Sequence, residues 1–332
     1  MTEKKRILSG MRPTGSLHLG NLHGALANWI KMQEEYDCFF FIADWHALTS
    51  DYEKTDNISQ YSREMMIDWL SAGLSPEKSG LFIQSQIKEH AELFLLLSMI
   101  TPVPWLERNP TYKDQVVQLS SKDLSTFGFL GYPVLQAADI ILYKAAGVPV
   151  GIDQVPHVEI TREIARRFNY LYTEVFPEPK AILTETPKIL GLDRRKMSKS
   201  YGNAIYLADS DNEVAKKVAG MITDPGRARK NDPGNPDICN VFDFHKRYSE
   251  PDTINTINEE CRNAGIGCVD CKKIMAKNLV DFLEPLHERR EFYKSRPDLV
   301  ESIFADGNEK ARAVAQQTMQ EVRAAIKMQD SP

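Results

Sequence analysis

Cys38-Phe39-Phe40-Phe41-Ile42-Ala43 is apolar at every position, and this run constrains the fold more than any other. A strand with one wet face alternates apolar and polar residues, so a run without alternation reads as a strand covered on both sides. Ile7-Leu8-Ser9-Gly10, Gly80-Leu81-Phe82-Ile83-Gln84 and Gly147-Val148-Pro149-Val150-Gly151 read the same way. Stretches with helical spacing separate or follow them: Leu19 to Met32 through Leu22, Leu26, Trp29 and Ile30, then Ile58 to Leu70, then Val155 to Phe168. Strands and helices in alternation predict an α/β fold, a parallel sheet with helices on both faces.

A chain of 332 residues has room for two domains of ordinary size. The strand–helix alternation should end near Leu190. From Glu213 to His287 the sequence is polar and largely helical, with a Pro/Gly/Asn-rich loop from Asp224 to Pro236. The last stretch, Asn308 to Met328, is amphipathic through Ala311, Val314, Val322 and Ile326 and should pack back on the first domain. The expected division is therefore 1–192 completed by 293–332, with 193–292 as a smaller helical domain.

Hydrophobic content of 42% and charged content of 26% describe a globular chain with a full core. No apolar stretch approaches the ~20 residues that span a bilayer. The basic start Met1-Thr2-Glu3-Lys4-Lys5-Arg6 leads directly into a strand-like segment with no cleavage pattern, so a cytoplasmic location is expected. A net charge of −5 argues against binding nucleic acid over the whole surface and leaves room for a local basic patch.

Two short segments carry the chemistry. Gly10-Met11-Arg12-Pro13-Thr14-Gly15-Ser16-Leu17-His18-Leu19-Gly20-Asn21 joins a strand to a helix start, where unpaired N–H groups and the positive dipole end favour phosphate. Its glycines are not spaced as a dinucleotide fingerprint, and the chain has no Gly-Lys-Ser/Thr phosphate loop. His18 can donate to phosphate, with Thr14 close enough to share the task. The second segment, Lys196-Met197-Ser198-Lys199-Ser200, places two ammonium groups and two hydroxyls on one stretch after Arg194 and Arg195. Lysine meets phosphate as a mobile point charge, which suits a loop that closes over a triphosphate.

Taken in this order, the two segments resemble the paired signatures of the class I aminoacyl-tRNA synthetases, whose catalytic domain is a Rossmann-like parallel sheet followed by a smaller helical tRNA-binding domain. Within that class the chain is most similar to the tryptophan-specific family, over nearly its whole length. Asp44-Trp45-His46-Ala47-Leu48-Thr49 is similar to that family's second-strand segment. Tyr132-Pro133-Val134-Leu135-Gln136-Ala137-Ala138-Asp139-Ile140 and Val148-Pro149-Val150-Gly151-Ile152-Asp153-Gln154 resemble its substrate pocket and nucleotide-site strand.

The resemblance implies that ATP, with Mg²⁺, activates tryptophan for transfer to tRNA(Trp). It places Arg12, Thr14, Gly20, Asn21, Gly151, Asp153, Lys196, Met197, Ser198 and Lys199 at ATP, with His18, Asn21, Lys196 and Lys199 catalytic. It places Leu8, Gly10, His46, Tyr132, Gln136, Asp139 and Gln154 at tryptophan, and it implies a homodimer. Indole has a single N–H donor, which the Asp139 carboxylate can accept. Many members carry Met where this chain has Gln136, and Tyr-x-x-x-Gln-x-x-Asp also resembles the tyrosine-specific enzymes. Tyrosine activation is therefore one alternative, and a small-molecule nucleotidyltransferase with a similar His-x-Gly motif is another.

Four of the five cysteines, Cys239, Cys261, Cys268 and Cys271, fall close together with gaps of 21, six and two residues. In a reducing compartment such a cluster points to metal. Zinc ribbons usually show two close pairs, and here there is one. The pattern resembles the 4Fe-4S iron-sulfur site in the anticodon region of a subset of the tryptophanyl enzymes, with Zn²⁺ as the alternative. Arg227, Arg229, Lys230, His245, Lys246, Arg247, Lys272 and Lys273 are candidates to meet tRNA near this module, while His157 and His287 carry no assignment.

Overall fold

The computed structural model describes residues 4–118, 123–184 and 189–328. Met1 to Glu3 of the basic amino terminus and residues 329–332 lie outside them. The chain forms two compact units. One comprises Met1–Gly15, Asn28–Glu185 and Arg296–Pro332, the other Ser16–Ala27 and Thr186–Ser295.

The first unit is built on five parallel strands, β1 Arg6–Met11, β2 Asp37–Ile42, β3 Ser79–Ile83, β4 Gly147–Val150 and β5 Lys180–Leu183, in the order β3-β2-β1-β4-β5. This is the α/β Rossmann-like sheet that the apolar runs call for. Leu8 lies opposite Phe39, and Phe39 opposite Gly80. Alternate residues of β2 serve the two faces. Phe39 and Phe41 join a core with Phe82, Ala138, Ile141, Val158 and Ala315. Phe40 stacks on Trp29 at 4.6 Å on the other side, with Trp69 edge-on to Trp29 at 5.3 Å. The continuous apolar run is thus explained by cover on both faces.

β5 has no counterpart among the runs read from the sequence. It is an edge strand of four residues whose two ends are exposed, so it lacks the apolar signature of a central strand. Asp44 to Thr49 also departs from expectation: β2 stops at Ile42, and Asp44–Asp51 is a helix. The strand order reverses between β1 and β4, which opens a crevice at their carboxyl ends, the usual ligand position in such sheets.

The helix Pro297–Ala325 packs on β3. It begins well before Asn308, because Asp306-Gly307-Asn308 reads as a break yet forms the contact. A Cβ on Gly307 would lie 1.8 Å from the Leu81 carbonyl oxygen, so only glycine permits this approach. Asn308 Oδ1 accepts the Ile83 N–H at 3.1 Å at the end of β3.

The second unit is largely helical, with Asp211–Ala219 and Asn240–Tyr248 packed along Cys268–Lys294. Val214, Val218, Met275, Leu279 and Leu283 are fully buried in it. The helix start at Leu19–Asn21 widens to π geometry over Leu22–Leu26, a form common near functional sites. Among the described residues no helix is long and apolar enough to cross a membrane.

Candidate active site

In the first unit, helix Phe127–Leu142 carries Tyr132, Gln136 and Asp139 at spacings of four and three, which place them on one face. Thr126 caps this helix by accepting the Phe129 N–H at 3.2 Å. Asp139 sits in the last turns, too far along to cap backbone amides at the start. It is 1% exposed and receives side chains instead. His46 Nε2 lies 2.8 Å from Oδ2, His90 Nδ1 2.6 Å from Oδ1, and Gln84 Nε2 2.8 and 3.0 Å from the two oxygens. Burial pushes the Asp139 carboxyl up, but the facing His90 charge and the hydrogen bonds of His46 and His90 outweigh it, leaving the group below the ordinary carboxylate range.

Of the other residues expected at tryptophan, Leu8 and Gly10 come from β1. Gly10 has the Phe41 ring against it, 2.5 Å from where a Cβ would stand, so any side chain would displace that ring. Tyr132 OH lies 3.2 Å from His157 Nε2. Burial pushes the Tyr132 phenol well up, so it remains a hydroxyl. His157 is driven down to about 4 by burial, with His46 adding to the fall, and is neutral at pH 7. Gln136 is half-buried. Gln154 donates to Asp153 Oδ2 at 2.9 Å, and Asp153 Oδ1 lies 2.7 Å from where a Gly151 Cβ would stand. Arg12 is held by Ser50 and by Asp51 at 3.1 Å, and its carbonyl oxygen accepts the Thr14 N–H.

The second unit brings the two signature segments together. Leu19 N–H donates to the Ile205 carbonyl at 3.0 Å and Leu207 N–H to the Leu17 carbonyl at 2.9 Å, so His18 pairs with Tyr206, shortly after the lysine-serine loop. A Cβ on Gly20 would strike the His18 ring at 2.9 Å and meet Met197 at 3.8 Å. Burial, then the Lys199 charge, pushes His18 down to about 4. It is therefore neutral at pH 7, and its Nδ1 is buried with no hydrogen-bond partner among the described residues. Asn21 uses its side chain to accept the His18 backbone N–H at 3.0 Å.

The loop itself is tied at several points. Met197 N–H donates to Ile189 and Gly191 N–H to Arg195. The Met197 side chain is buried, Lys196 is exposed, and Ser198 and Ser200 hydroxyls meet at 2.9 Å. Asn203 is the residue the sequence reading missed here. It is 3% exposed, donates to Asp193 at 2.6 Å and accepts from Ser198 N at 2.8 Å.

The four cysteines share one neighbourhood of the second unit. Burial, then the charges of Cys239, Cys261 and Cys268, raise the Cys271 thiol to about 12. Among the described residues no group of three or more His, Cys, Asp or Glu side chains is poised to hold a metal ion. Two of the basic residues expected to meet tRNA turn inward. His245 is fully buried between Ser249 and Cys271. Arg227 is spent on the Lys230 and Ile266 carbonyls and on Cys261 Sγ at 3.8 Å. Backbone carbonyls and cysteine sulfur claim these donors, which sequence alone does not reveal.

Comparison with known proteins agrees with this geometry. Residues 1–284 match the family described as tRNA synthetases class I (W and Y). The chain is 55% identical to a tryptophan–tRNA ligase of Thermotoga maritima, over 97% of this chain and 99% of that one. It is 50% identical to one of Aquifex aeolicus, over 97% of this chain and 100% of that one. A crystal structure of tryptophanyl-tRNA synthetase from Campylobacter jejuni complexed with ADP and tryptophan matches with a TM-score of 0.90 at 34% identity, covering 97% of this chain and 99% of that one. With this sheet, these two segments and these relatives, the chain belongs to the class I tRNA synthetases of the tryptophan and tyrosine group, among the tryptophan–tRNA ligases.

Proposed function

We propose that this chain condenses tryptophan with ATP to tryptophanyl-adenylate and pyrophosphate, then transfers the aminoacyl group to tRNA(Trp). In the first step a carboxylate oxygen of tryptophan bonds to the α-phosphorus as the bond to the bridging oxygen of pyrophosphate breaks. A free α-carboxyl titrates near about 3.5, so the nucleophile is already ionised at neutral pH and needs no general base. Acceleration then comes from positioning and from stabilising charge on the phosphates.

Lys196 and Lys199 supply mobile positive charge, neutral His18 donates a hydrogen bond, and Mg²⁺ arriving with ATP shares the charge. Asn21 supports His18 through its backbone. Arg12, Thr14, Gly20, Gly151, Asp153, Met197 and Ser198 are assigned to the nucleotide on the likeness of their segments. Leu8, Gly10, His46, Tyr132, Gln136, Asp139 and Gln154 are assigned to tryptophan. The observation that carries the choice of amino acid is the 50 and 55% identity to tryptophan–tRNA ligases over nearly the whole chain; Asp139 supplies a buried acceptor that suits an indole N–H and a phenol O–H alike. Pyrophosphate exchange measured separately with tryptophan and tyrosine tests it. Exchange driven by tryptophan is expected, and exchange driven by tyrosine alone overturns the reading.

Helical residues 193–292 are proposed to recognise the anticodon, with 1–192 and 293–332 as the catalytic domain. Exposed Leu95, Met99 and Val103 support a homodimer, and the need for ATP and tRNA supports a cytoplasmic location. The four cysteines are proposed to hold a 4Fe-4S cluster, with Zn²⁺ the alternative. The residue types suit such a group, while the four side chains do not stand together as a ligand set among the described residues. All four donors are thiols, which suit iron-sulfur or zinc. Arg227 sets positive charge beside Cys261, and its Nε is buried with no hydrogen-bond partner among the described residues. A Cβ on Gly234 would stand 2.6 Å from Cys261 Sγ, so glycine keeps that side open. When bound, the cluster supplies a covalent cross-link among the chain segments that carry the cysteines.

A further inference from the structure

Asp139 in this structure has more donors than it can keep once substrate arrives. An ionised carboxylate offers about four acceptor positions. Oδ1 takes His90 Nδ1 at 2.6 Å and Gln84 Nε2 at 2.8 Å, and Oδ2 takes His46 Nε2 at 2.8 Å and Gln84 Nε2 at 3.0 Å. An indole N–H must displace one of them. The His90 side chain is 0% exposed and that of His46 is 12% exposed, so His46 is the donor with somewhere to go. His90 is anchored from behind, its Nε2 lying 2.8 Å from the Tyr143 hydroxyl. Phe41 and Phe82 flank its ring, each with ring centroids 6.1 Å away.

We propose that His90 is a positioning residue for amino-acid selection: braced by Tyr143, it fixes Asp139 through Oδ1, and His46 yields Oδ2 to the indole N–H. This rests on the reading of Asp139 as the acceptor for tryptophan. The physical need is plain. A carboxylate buried this deeply drifts toward its protonated form, which would present a donor to a donor. His90 opposes that drift and sets the direction in which the free oxygen points. The other charged or titratable groups in reach are His46 on helix Asp44–Asp51 and Tyr143 just past Asp139's own helix. Glu89, on His90's helix, and Arg312, on Pro297–Ala325, both act on Tyr143, while His157 feels His46.

The test is pyrophosphate exchange by His90→Leu, His90→Gln and Tyr143→Phe, with tryptophan and with 1-methyltryptophan, from about pH 6 to about pH 9. His90→Leu should raise the tryptophan KM about tenfold or more near pH 7 while kcat stays within about threefold. That KM should fall as pH rises and Asp139 loses its proton, whereas the parent shows no such trend. Discrimination against 1-methyltryptophan should narrow. Tyr143→Phe, which keeps the packing, should shift KM the same way by less, and His90→Gln, which keeps an N–H, should recover most of the loss. Parent KM and pH profile in both His90→Leu and Tyr143→Phe overturn the proposal. So does an equal loss of kcat and KM with no pH trend and no rescue by Gln. Asp139→Leu, which has no acceptor, separates the two readings: if it binds tryptophan as the parent does, the reading of Asp139 fails, and if it alone is impaired, only the role of His90 fails.

Discussion

Asn203 Oδ1 accepts the backbone N–H of Ser198 at 2.8 Å, and its amide donates to Asp193 Oδ1 at 2.6 Å, so one buried side chain ties both flanks of the lysine-serine loop. A Cβ on Gly191 would fall 2.3 Å from that amide, which leaves Asn203 no room to move if residue 191 carries a side chain. Asn203→Ala leaves the Ser198 N–H without its acceptor and Asp193 with Arg195 alone, a loss of roughly 1–3 kcal/mol. We expect kcat for adenylate formation to fall about tenfold with the tryptophan KM unchanged, measured by stopped-flow or pyrophosphate exchange.

Lys199→Ala removes a charge that the proposed reaction sets against the transferring phosphates. Loss of one such donor commonly costs about 3–4 kcal/mol of transition-state stabilisation, or ~10²–10³ in rate. Pyrophosphate exchange should drop by that factor while the melting temperature stays put. Near-normal exchange would remove Lys199 from the mechanism.

His18 and His157 are both held at about 4 by burial, against an ordinary value of 6.5. The unfolded chain therefore binds more protons than the folded one between about pH 6.5 and about pH 4, and stability falls as pH falls through that window. Thermal melts from pH 7.5 downward should show the decline, and His157→Gln should soften it. The rate profile for ATP should carry no inflexion near 6.5 from His18, and a clear one there would show that it titrates as an ordinary histidine.

The cysteine module predicts a coloured protein. Purified without oxygen, the chain should absorb broadly in the thiolate-to-iron region, and Cys271→Ala should abolish the band while helices of the second unit loosen. Gly234→Ala should lower metal occupancy by crowding Cys261. Colourless protein with stoichiometric zinc would exclude the cluster.

The central strands were legible because each is apolar on both faces, whereas β5, with its exposed ends, carries no such pattern. Asp139 was singled out through the likeness of its segment to the tryptophanyl substrate pocket, and its spacing from Tyr132 and Gln136 placed the three on one helix face. Its partners Gln84 and His90 were not singled out, since they come from elements some 50 residues earlier. A signal did exist. His90 shares the buried face of its helix with Leu93 and Leu97, and a polar residue on an apolar face needs a partner. The pairing of His18 with Tyr206 had no such mark, because loop-to-loop contacts over that separation follow no periodicity. Arg227 and His245 looked like surface charge, and only the fold shows what they bind.

In the proposed reaction the Asp139 carboxylate accepts the indole N–H of the substrate. The measurement that bears on this is the ratio of kcat/KM for tryptophan over 1-methyltryptophan, in the parent and in Asp139→Leu, which has no acceptor. Because an unpaired buried acceptor costs roughly 1–3 kcal/mol, the parent should favour tryptophan by about tenfold or more, and the substitution should erase most of that preference. The same ratio in both proteins would contradict the account.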